Sequence, residues 1–227
     1  PRVERPPEIY RTRHGLLAAA QLAAQQPRIE AFWREHGVPG SFRGVDQLTI
    51  QYLRFRQPQP GPAVVIASGR TEFTDKYQEL VYDFWRHGYS VYLHDHRGQG
   101  RSDRLLADKP QLGHVERFDD YVQDLHTLVQ TETTGHAVRF LVGHSMGGAS
   151  AMLAVQLGLR TEALVSIAAP SRFLDVLRGF TTMVGLPARA RSAFIQEVEL
   201  AFGMPLKHLD VAHYQMNIPG LVCTPRT

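Results

Sequence analysis

The chain has 227 residues, 43% of them hydrophobic and 21% charged, a composition typical of one soluble globular domain. Its net charge is +3 and its arginines are scattered, so we expect no nucleic-acid partner, although weak peripheral contact with an anionic membrane surface is compatible with this charge. The only cysteine, Cys223, excludes an internal disulfide and a cysteine-rich metal site, and no apolar run reaches the ~18 residues of a membrane span.

The first forty residues predict a helical arm, assigned to 1–40. Residues 1–10 are polar and rich in proline, unlike a signal peptide, which favours a cytoplasmic location, peripheral to the membrane at most. Residues 14–26 are rich in alanine and leucine and predict a helix. Pro27 predicts the start of a second helix that ends near Gly37.

Strand and helix patterns alternate through residues 41–169, which we assign to the core. The predicted strands are 48–56, 63–67, 90–94, the apolar run that begins at Ala137, and 162–169. The predicted helices are 75–87, 115–131, and the segment from the serine motif to about Gly158. This alternation predicts an α/β fold with a doubly wound, mainly parallel sheet.

Two further segments follow the predicted core. Residues 170–216 predict an interrupted helical insertion, a small lid, and 217–227 predict the start of a further core strand. We expect the apolar side chains of the lid to meet an acyl chain, to pack on the sheet, or both: Phe173, Leu174, Leu177, Phe180, Met183, Val184 and Leu186.

The most informative motif is Gly143-x-Ser145-x-Gly147, placed between an apolar strand and a helix of small residues. A tight strand-to-helix turn lifts a serine hydroxyl clear of the sheet, and flanking glycines let the two elements approach closely. The backbone N–H after the serine, that of Met146, is then free to stabilise an oxyanion. This context favours a catalytic serine over an incidental one.

Three loops are predicted at the carboxyl ends of the strands, where parallel sheets bind their ligands: 68–72, 95–102 and 143–147. The group His94, Asp95 and His96 lies where the preceding strand enters the middle loop, and alternation places the two histidines on one face of the strand. Because no clear third ligand is near, we expect no metal there, and no feature of the sequence predicts a cofactor.

Taken together, the motifs Gly143-His144-Ser145-Met146-Gly147-Gly148 and Asp95-His96-Arg97-Gly98-Gln99-Gly100-Arg101-Ser102 resemble those of the α/β-hydrolase superfamily. Between Phe42 and about Leu125 the chain looks most like the bacterial lysophospholipase and monoacylglycerol lipase branch. The residues that carry this likeness include Ser68 to Glu72, Tyr77 to Leu80, Leu105 to Asp108 and Gly113 to Val115.

The resemblance implies the roles of several residues. Ser145 would be the nucleophile, and the backbone N–H groups of Met146 and Arg70 would form the oxyanion hole. The guanidinium of Arg70 could in addition bind a carboxylate or phosphate of the substrate. Glu72 is interpreted as solvated, as a cap of the following helix, or as part of the site, and the loop 95–102 as structural.

The remaining triad members are not identified. In the superfamily the acid and the histidine follow the serine in chain order, the acid after the strand beyond the insertion. Here that strand begins at Pro219, and no acidic residue follows Asp210. We therefore expect the chain to be incomplete at its C-terminal side, with negligible turnover and poor stability in isolation.

Only two histidines follow the serine, His208 and His213. An arrangement with His213 as base, oriented by Asp175, is a disfavoured substitute, since the histidines of the family come from a loop near the strand ends. His144 adjoins the serine, but adjacent residues on a sharp turn point apart.

These inferences predict a serine hydrolase that cleaves carboxylic esters of monoacyl lipids through an acyl-enzyme. The alternatives are a short-chain esterase, a thioesterase or an acyltransferase on the same fold, or a hydrolase-fold chain without activity. The expected partner is a small lipid ester, and the oligomeric state is not predicted.

Overall fold

A seven-stranded sheet organises the part of the chain that the computed structural model describes, which comprises residues 19–167, 177–178, 181–182, 185–202 and 218–223. The strands are β1 Val38–Arg43, β2 Thr49–Phe55, β3 Ala63–Ala67, β4 Ser90–His94, β5 Arg139–His144, β6 Ala163–Ile167 and β7 Gly220–Cys223. The helices are α1 Ala19–His36, α2 Gln78–Arg86, α3 Phe118–Glu132, α4 Met146–Gln156 and α5 Ala188–Phe202. Short 3-10 turns span Val45–Gln47, Thr74–Tyr77 and Pro110–Leu112.

The strand order is β1-β2-β4-β3-β5-β6-β7. β2 pairs antiparallel with β1 and with β4, whereas every pair from β4 through β3, β5 and β6 to β7 is parallel. The predicted α/β fold with a doubly wound, mainly parallel sheet is confirmed. The carboxyl ends of β3, β4 and β5 lie side by side, because Ala67 pairs with both His94 and Gly143.

Helices cover both faces of the sheet. Alternation in β3 sends Val65 to one face, where it joins a buried cluster with Leu125 of α3 and Met152 of α4. Ile66 points to the other face, into a cluster with Phe32 of α1 and Val81 of α2. Burial on both faces explains why this strand is apolar throughout.

The N-terminal elements differ from their prediction in two respects. A single helix, α1, runs through Pro27, so the predicted second helix at that residue is wrong. An interior proline costs about 3 kcal/mol or more, and here the burial of Ile29 and Phe32 against the sheet offsets that cost. The strand β1 was not predicted, because Pro39 and Gly40 are residues that strands disfavour.

The loop 95–102, hereafter the β4 loop, is held by its own polar side chains, as predicted. The carboxylate of Asp95 accepts hydrogen bonds from the backbone N–H groups of Thr74 at 2.7 Å and Arg101 at 2.8 Å. The fully buried Arg97 donates to both carboxylate oxygens of Asp124 on α3, at 2.7 and 2.8 Å. The structural interpretation of this loop is confirmed.

Several predictions fall on residues that the structure does not describe. They concern residues 1–18, residues 206–216 of the predicted insertion, the pair Asp175 and His213, the other histidine His208, and five lid side chains: Phe173, Leu174, Phe180, Met183 and Val184. The boundaries of the arm, core and lid stay predictions. Within the described residues, none of the helices combines the length and apolarity needed to cross a membrane.

Candidate active site

Ser145 occupies the sharp turn between β5 and α4 that its motif predicts. Its backbone has φ 51° and ψ −118°, a left-handed φ that non-glycine residues rarely adopt and that is characteristic of functional sites. The Ser145 N–H donates to the carbonyl of Ile167 at 2.7 Å, which ties the turn to the end of β6. The turn therefore holds a partly exposed hydroxyl at the N-terminus of a helix.

The glycines around the serine are required by close packing. A Cβ on Gly143 would lie 2.5 Å from the Cα of Gly148 in the first turn of α4. A Cβ on Gly147 would overlap the backbone carbonyl oxygens of Ala67 and Ser68. Strand, helix and the segment after β3 thus approach each other as backbone against backbone, and this packing brings residues 68–72 beside Ser145.

Residues 68–72, hereafter the β3 loop, leave the backbone N–H of Arg70 without a partner among the described residues. The N–H of Gly69 donates to Glu72 Oε2 at 2.7 Å, and that of Thr71 donates to Gln99 Oε1. Between them, the N–H of Arg70 donates to no group among the described residues. The N–H of Met146, in the first turn of α4, likewise has no partner in that part of the chain, as expected of a helix N-terminus.

Glu72 joins the β3 loop to the residue that precedes the serine. Its Oε2 accepts hydrogen bonds from the Gly69 N–H, from the Tyr77 hydroxyl at 2.6 Å and from His144 Nδ1 at 2.9 Å. Burial raises the pKa of Glu72, but the bonds from Tyr77, His144 and Gly69 outweigh it, so that pKa lies below its ordinary value. Glu72 is therefore ionised, and it links the β3 loop to the turn that holds Ser145.

This geometry corrects two of the three interpretations of Glu72. Its side chain is only 17% exposed, so it is not a solvated surface group. No side chain caps the turn Thr74–Tyr77 or α2, so it is not a helix cap either. The His144–Glu72 contact was missed, because 72 residues separate the partners and neither motif predicts the other.

His94 and His96 lie beneath the β3 loop, fully buried. His94 Nε2 is 3.2 Å from His96 Nδ1, and His96 Nε2 donates to the Ser68 carbonyl at 3.0 Å. Burial lowers the pKa of His94 to about 4 and, with the neighbouring histidine, that of His96 to about 3. Both rings are therefore neutral near pH 7. In the part of the chain that is described, no group of three or more metal-ligating side chains is placed to hold an ion.

Comparison with known proteins identifies the family. Residues 58–203 match the hydrolase family described as serine aminopeptidase, S33. The chain belongs to this S33 family. The resemblance to α/β hydrolases of the lysophospholipase and monoacylglycerol lipase branch is thereby confirmed, and the matched segment contains Arg70, Glu72 and Ser145.

Curated relatives of this S33 member include lysophospholipase L2 of Escherichia coli strain K12, which is 43% identical over 149 residues, 65% of this chain and 42% of the relative. Monoacylglycerol lipase of Mycolicibacterium smegmatis is 34% identical over 111 residues, 48% of this chain and 38% of the relative. The chain thus spans less than half the length of either relative.

Solved structures agree on the fold. An esterase from Pyrococcus furiosus superposes with a TM-score of 0.58 at 18% identity, covering 82% of this chain and 68% of that one. The α/β hydrolase GrgF from a Penicillium species gives 0.57 at 19% identity, covering 84% and 80%. At these identities the likeness concerns the fold alone.

Proposed function

We propose that this protein is a serine hydrolase that cleaves the carboxylic ester of monoacyl lipids through an acyl-enzyme. The observation that carries the proposal is the backbone of Ser145, held at φ 51° between β5 and α4. The names of the relatives support lipid esters as the substrate class.

In the proposed reaction the Ser145 hydroxyl oxygen attacks the ester carbonyl carbon while a base removes the hydroxyl proton. The carbonyl oxygen becomes an oxyanion, which the N–H groups of Met146 and Arg70 stabilise. Collapse of this intermediate breaks the bond to the glycerol oxygen, which takes the proton from the base. Water then attacks the acyl-serine by the same steps and releases the fatty acid.

The base of this mechanism is a histidine that must reach the serine. Among the described residues no histidine hydrogen-bonds to Ser145, and the ring of His144 is engaged by Glu72. The two histidines that follow in the chain, His208 and His213, lie outside the described residues. We therefore assign the nucleophile and the oxyanion hole and leave the base unassigned.

Weak peripheral contact with an anionic membrane surface is a further part of the proposal. Three apolar side chains are exposed at the carboxyl edge of the sheet, and they support contact with lipid: Phe73 at 42%, Leu112 at 53% and Ile167 at 40% exposure.

The proposal is tested by labelling with a fluorophosphonate probe and mapping the modified residue. We expect one modified residue, Ser145, and no labelling of Ser145→Ala, since loss of the nucleophile removes roughly 10⁴-fold or more of the rate in serine hydrolases. The matched control is Ser68→Ala, which removes a buried hydroxyl of the neighbouring loop and should leave labelling intact. Labelling that persists in Ser145→Ala, or no labelled serine in the unmodified protein, contradicts the assignment.

A further inference from the structure

A cavity of about 210 Å³ opens beside the β3 loop, and Arg70, whose backbone N–H is assigned to the oxyanion hole, is one of its lining residues. Its walls are formed by residues 70–73, by part of the β4 loop with Arg104, and by the turn 110–113. The charged side chains of its lining are Arg70, Glu72 and Arg104.

Both arginines reach the same short turn. Arg104 donates from Nε to the Pro110 carbonyl at 3.0 Å and from its other nitrogens to the carbonyls of Ser102 and Gly100 at 2.8 and 3.0 Å. The exposed Arg70 reaches the Leu112 carbonyl through Nη2 at 3.4 Å. Since Pro110 and Leu112 are the ends of one three-residue turn, the two guanidinium groups are neighbours.

The described lining residues of this cavity carry two positive charges and one negative charge. Among the described residues, neither Arg70 nor Arg104 forms an ion pair, because their partners are neutral carbonyls. The one carboxylate that lines the cavity, Glu72, offsets one of the two guanidinium charges, and its Oε2 is engaged by Gly69, Tyr77 and His144, so an excess of positive charge remains. The cavity therefore favours an anion.

Gln99 adds a polar group to the same wall. It is 7% exposed, and its Oε1 accepts the Thr71 N–H, which leaves the Nε2 amide as a donor. Within the described residues this buried Nε2 donates to no group. A buried amide donor without a partner is costly, and the dipole of this amide favours an anion in the cavity beside it.

We propose that this cavity binds the phosphate of a lysophospholipid headgroup, with Arg70 as its principal cation. The proposal rests on the function assigned above, in which the Arg70 backbone N–H contacts the acyl carbonyl oxygen. The side chain of the same residue then reaches the phosphate, at the far end of the glycerol that carries the ester. A guanidinium suits this role because it presents paired donors to phosphate oxygens.

The cavity would thereby set the choice between two classes of monoacyl lipid. A lysophospholipid carries the anion that Arg70 and Arg104 attract, whereas a monoacylglycerol of the same acyl length offers only hydroxyl groups. We therefore assign Arg70 as a specificity-determining residue that favours lysophospholipids.

The test measures binding of ether analogues, which contain no ester and cannot be cleaved. The probes are 1-O-decyl-glycero-3-phosphocholine and 1-O-decylglycerol, each below its micelle concentration, with inorganic phosphate as a third ligand. Calorimetry compares the unmodified chain with Arg70→Gln, Arg70→Lys and a control, Arg160→Gln. Arg160 is exposed and precedes β6 at the opposite edge of the sheet.

We expect the phosphocholine ether to bind roughly tenfold or more tightly than the glycerol ether, the size of one charge-assisted contact. Arg70→Gln should abolish this preference, Arg70→Lys should retain part of it, and Arg160→Gln should leave it unchanged. Equal affinities in the unmodified chain, or a preference that survives Arg70→Gln, would overturn the proposal. So would Arg70-dependent binding of inorganic phosphate without a preference for the phosphocholine ether.

Failure of the proposed hydrolysis is recognised separately. It appears as absent serine labelling, and it does not alter the binding of an ether. Loss of the headgroup preference with intact serine labelling rejects the phosphate site alone.

Discussion

At the scale of single residues, one carboxylate oxygen joins the two loops that would form the oxyanion hole. Glu72 Oε2 accepts hydrogen bonds from Gly69, Tyr77 and His144, so one carboxylate links the β3 loop to the turn at Ser145. Burial and the hydrogen bond to Glu72 raise the pKa of Tyr77, which stays a hydroxyl donor. Glu72 therefore acts as a positioning residue through its neighbours.

We predict that Glu72→Gln lowers kcat and leaves KM nearly unchanged. A neutral amide oxygen cannot replace a carboxylate oxygen that accepts three bonds, so the Arg70 N–H is held less firmly. The loss should be roughly tenfold, smaller than the 10²–10³ that follows removal of an oxyanion donor. Steady-state kinetics on a monoacyl ester measures it.

The control for this variant is Glu79→Gln, which removes an exposed carboxylate on α2. If both variants have the kinetics of the unmodified protein, the Glu72 carboxylate has no role in positioning the Arg70 N–H. If Glu72→Gln merely melts at a lower temperature with kcat unchanged, its role is structural.

The sequence predicts the residues of this site to different degrees. Gly143, Ser145 and Gly147 follow from their spacing, because only small residues fit where strand and helix touch. The pair of Glu72 and His144 does not follow from it, because the contact forms between two loops only after β3 and β5 pair. Long-range side-chain pairing has no signal in local pattern.

At the scale of elements, the end of β4 carries an uncharged histidine pair within the core. His94 and His96 are fully buried, His96 packs edge-on against Tyr121 of α3, and Arg97 and Asp124 are the nearest charges. Burial lowers both histidine pKa values, to about 4 and about 3, from an ordinary value of 6.5. Protonation of either ring therefore opposes folding.

We predict that the free energy of unfolding falls as the pH drops from about 6.5 towards 4. In that window the unfolded chain binds protons that the folded chain does not, so stability is lost with acidification. Each histidine contributes a slope of about 1.4 kcal/mol per pH unit. Urea unfolding at a series of pH values measures it.

His94→Gln should reduce the slope of the unfolding free energy against pH by up to the contribution of one histidine. His126→Gln, on the exposed side of α3, should leave that slope unchanged. Identical slopes for all three proteins would mean that His94 titrates normally in the folded state.

Elements differ in how far local pattern determines them. The bounds of β3 and β4 agree with prediction, and every residue of both strands is buried. β1 could not be predicted, because it contains Gly40, a residue that strands disfavour. The structure explains this glycine, since the Tyr52 ring of β2 occupies the space that a side chain at position 40 would need. That requirement arises from the neighbouring strand.

At the scale of the whole molecule, the carboxyl edge of the sheet combines Ser145 with exposed apolar side chains. Ile167 at the end of β6 is 40% exposed, and its carbonyl accepts the Ser145 N–H. Phe73 and Leu112 are exposed beside the cavity of Arg70. The parallel topology gathers these residues from distant segments of the chain at one edge of the sheet.

We predict that specificity rises with acyl length. For the full-length protein and a series of p-nitrophenyl esters, kcat/KM should increase from acetate to medium chains, because each buried methylene contributes up to ~0.8 kcal/mol, roughly fourfold. Ile167→Asn should reduce the increase per methylene, while Leu157→Asn, at an exposed apolar position at the far end of α4, should not. A kcat/KM that declines from acetate onward would favour a short-chain esterase. An acyl chain that passes over Ile167 must contact its side chain. If the increase in kcat/KM per methylene is the same in Ile167→Asn as in the unmodified protein, the acyl chain lies elsewhere on this edge.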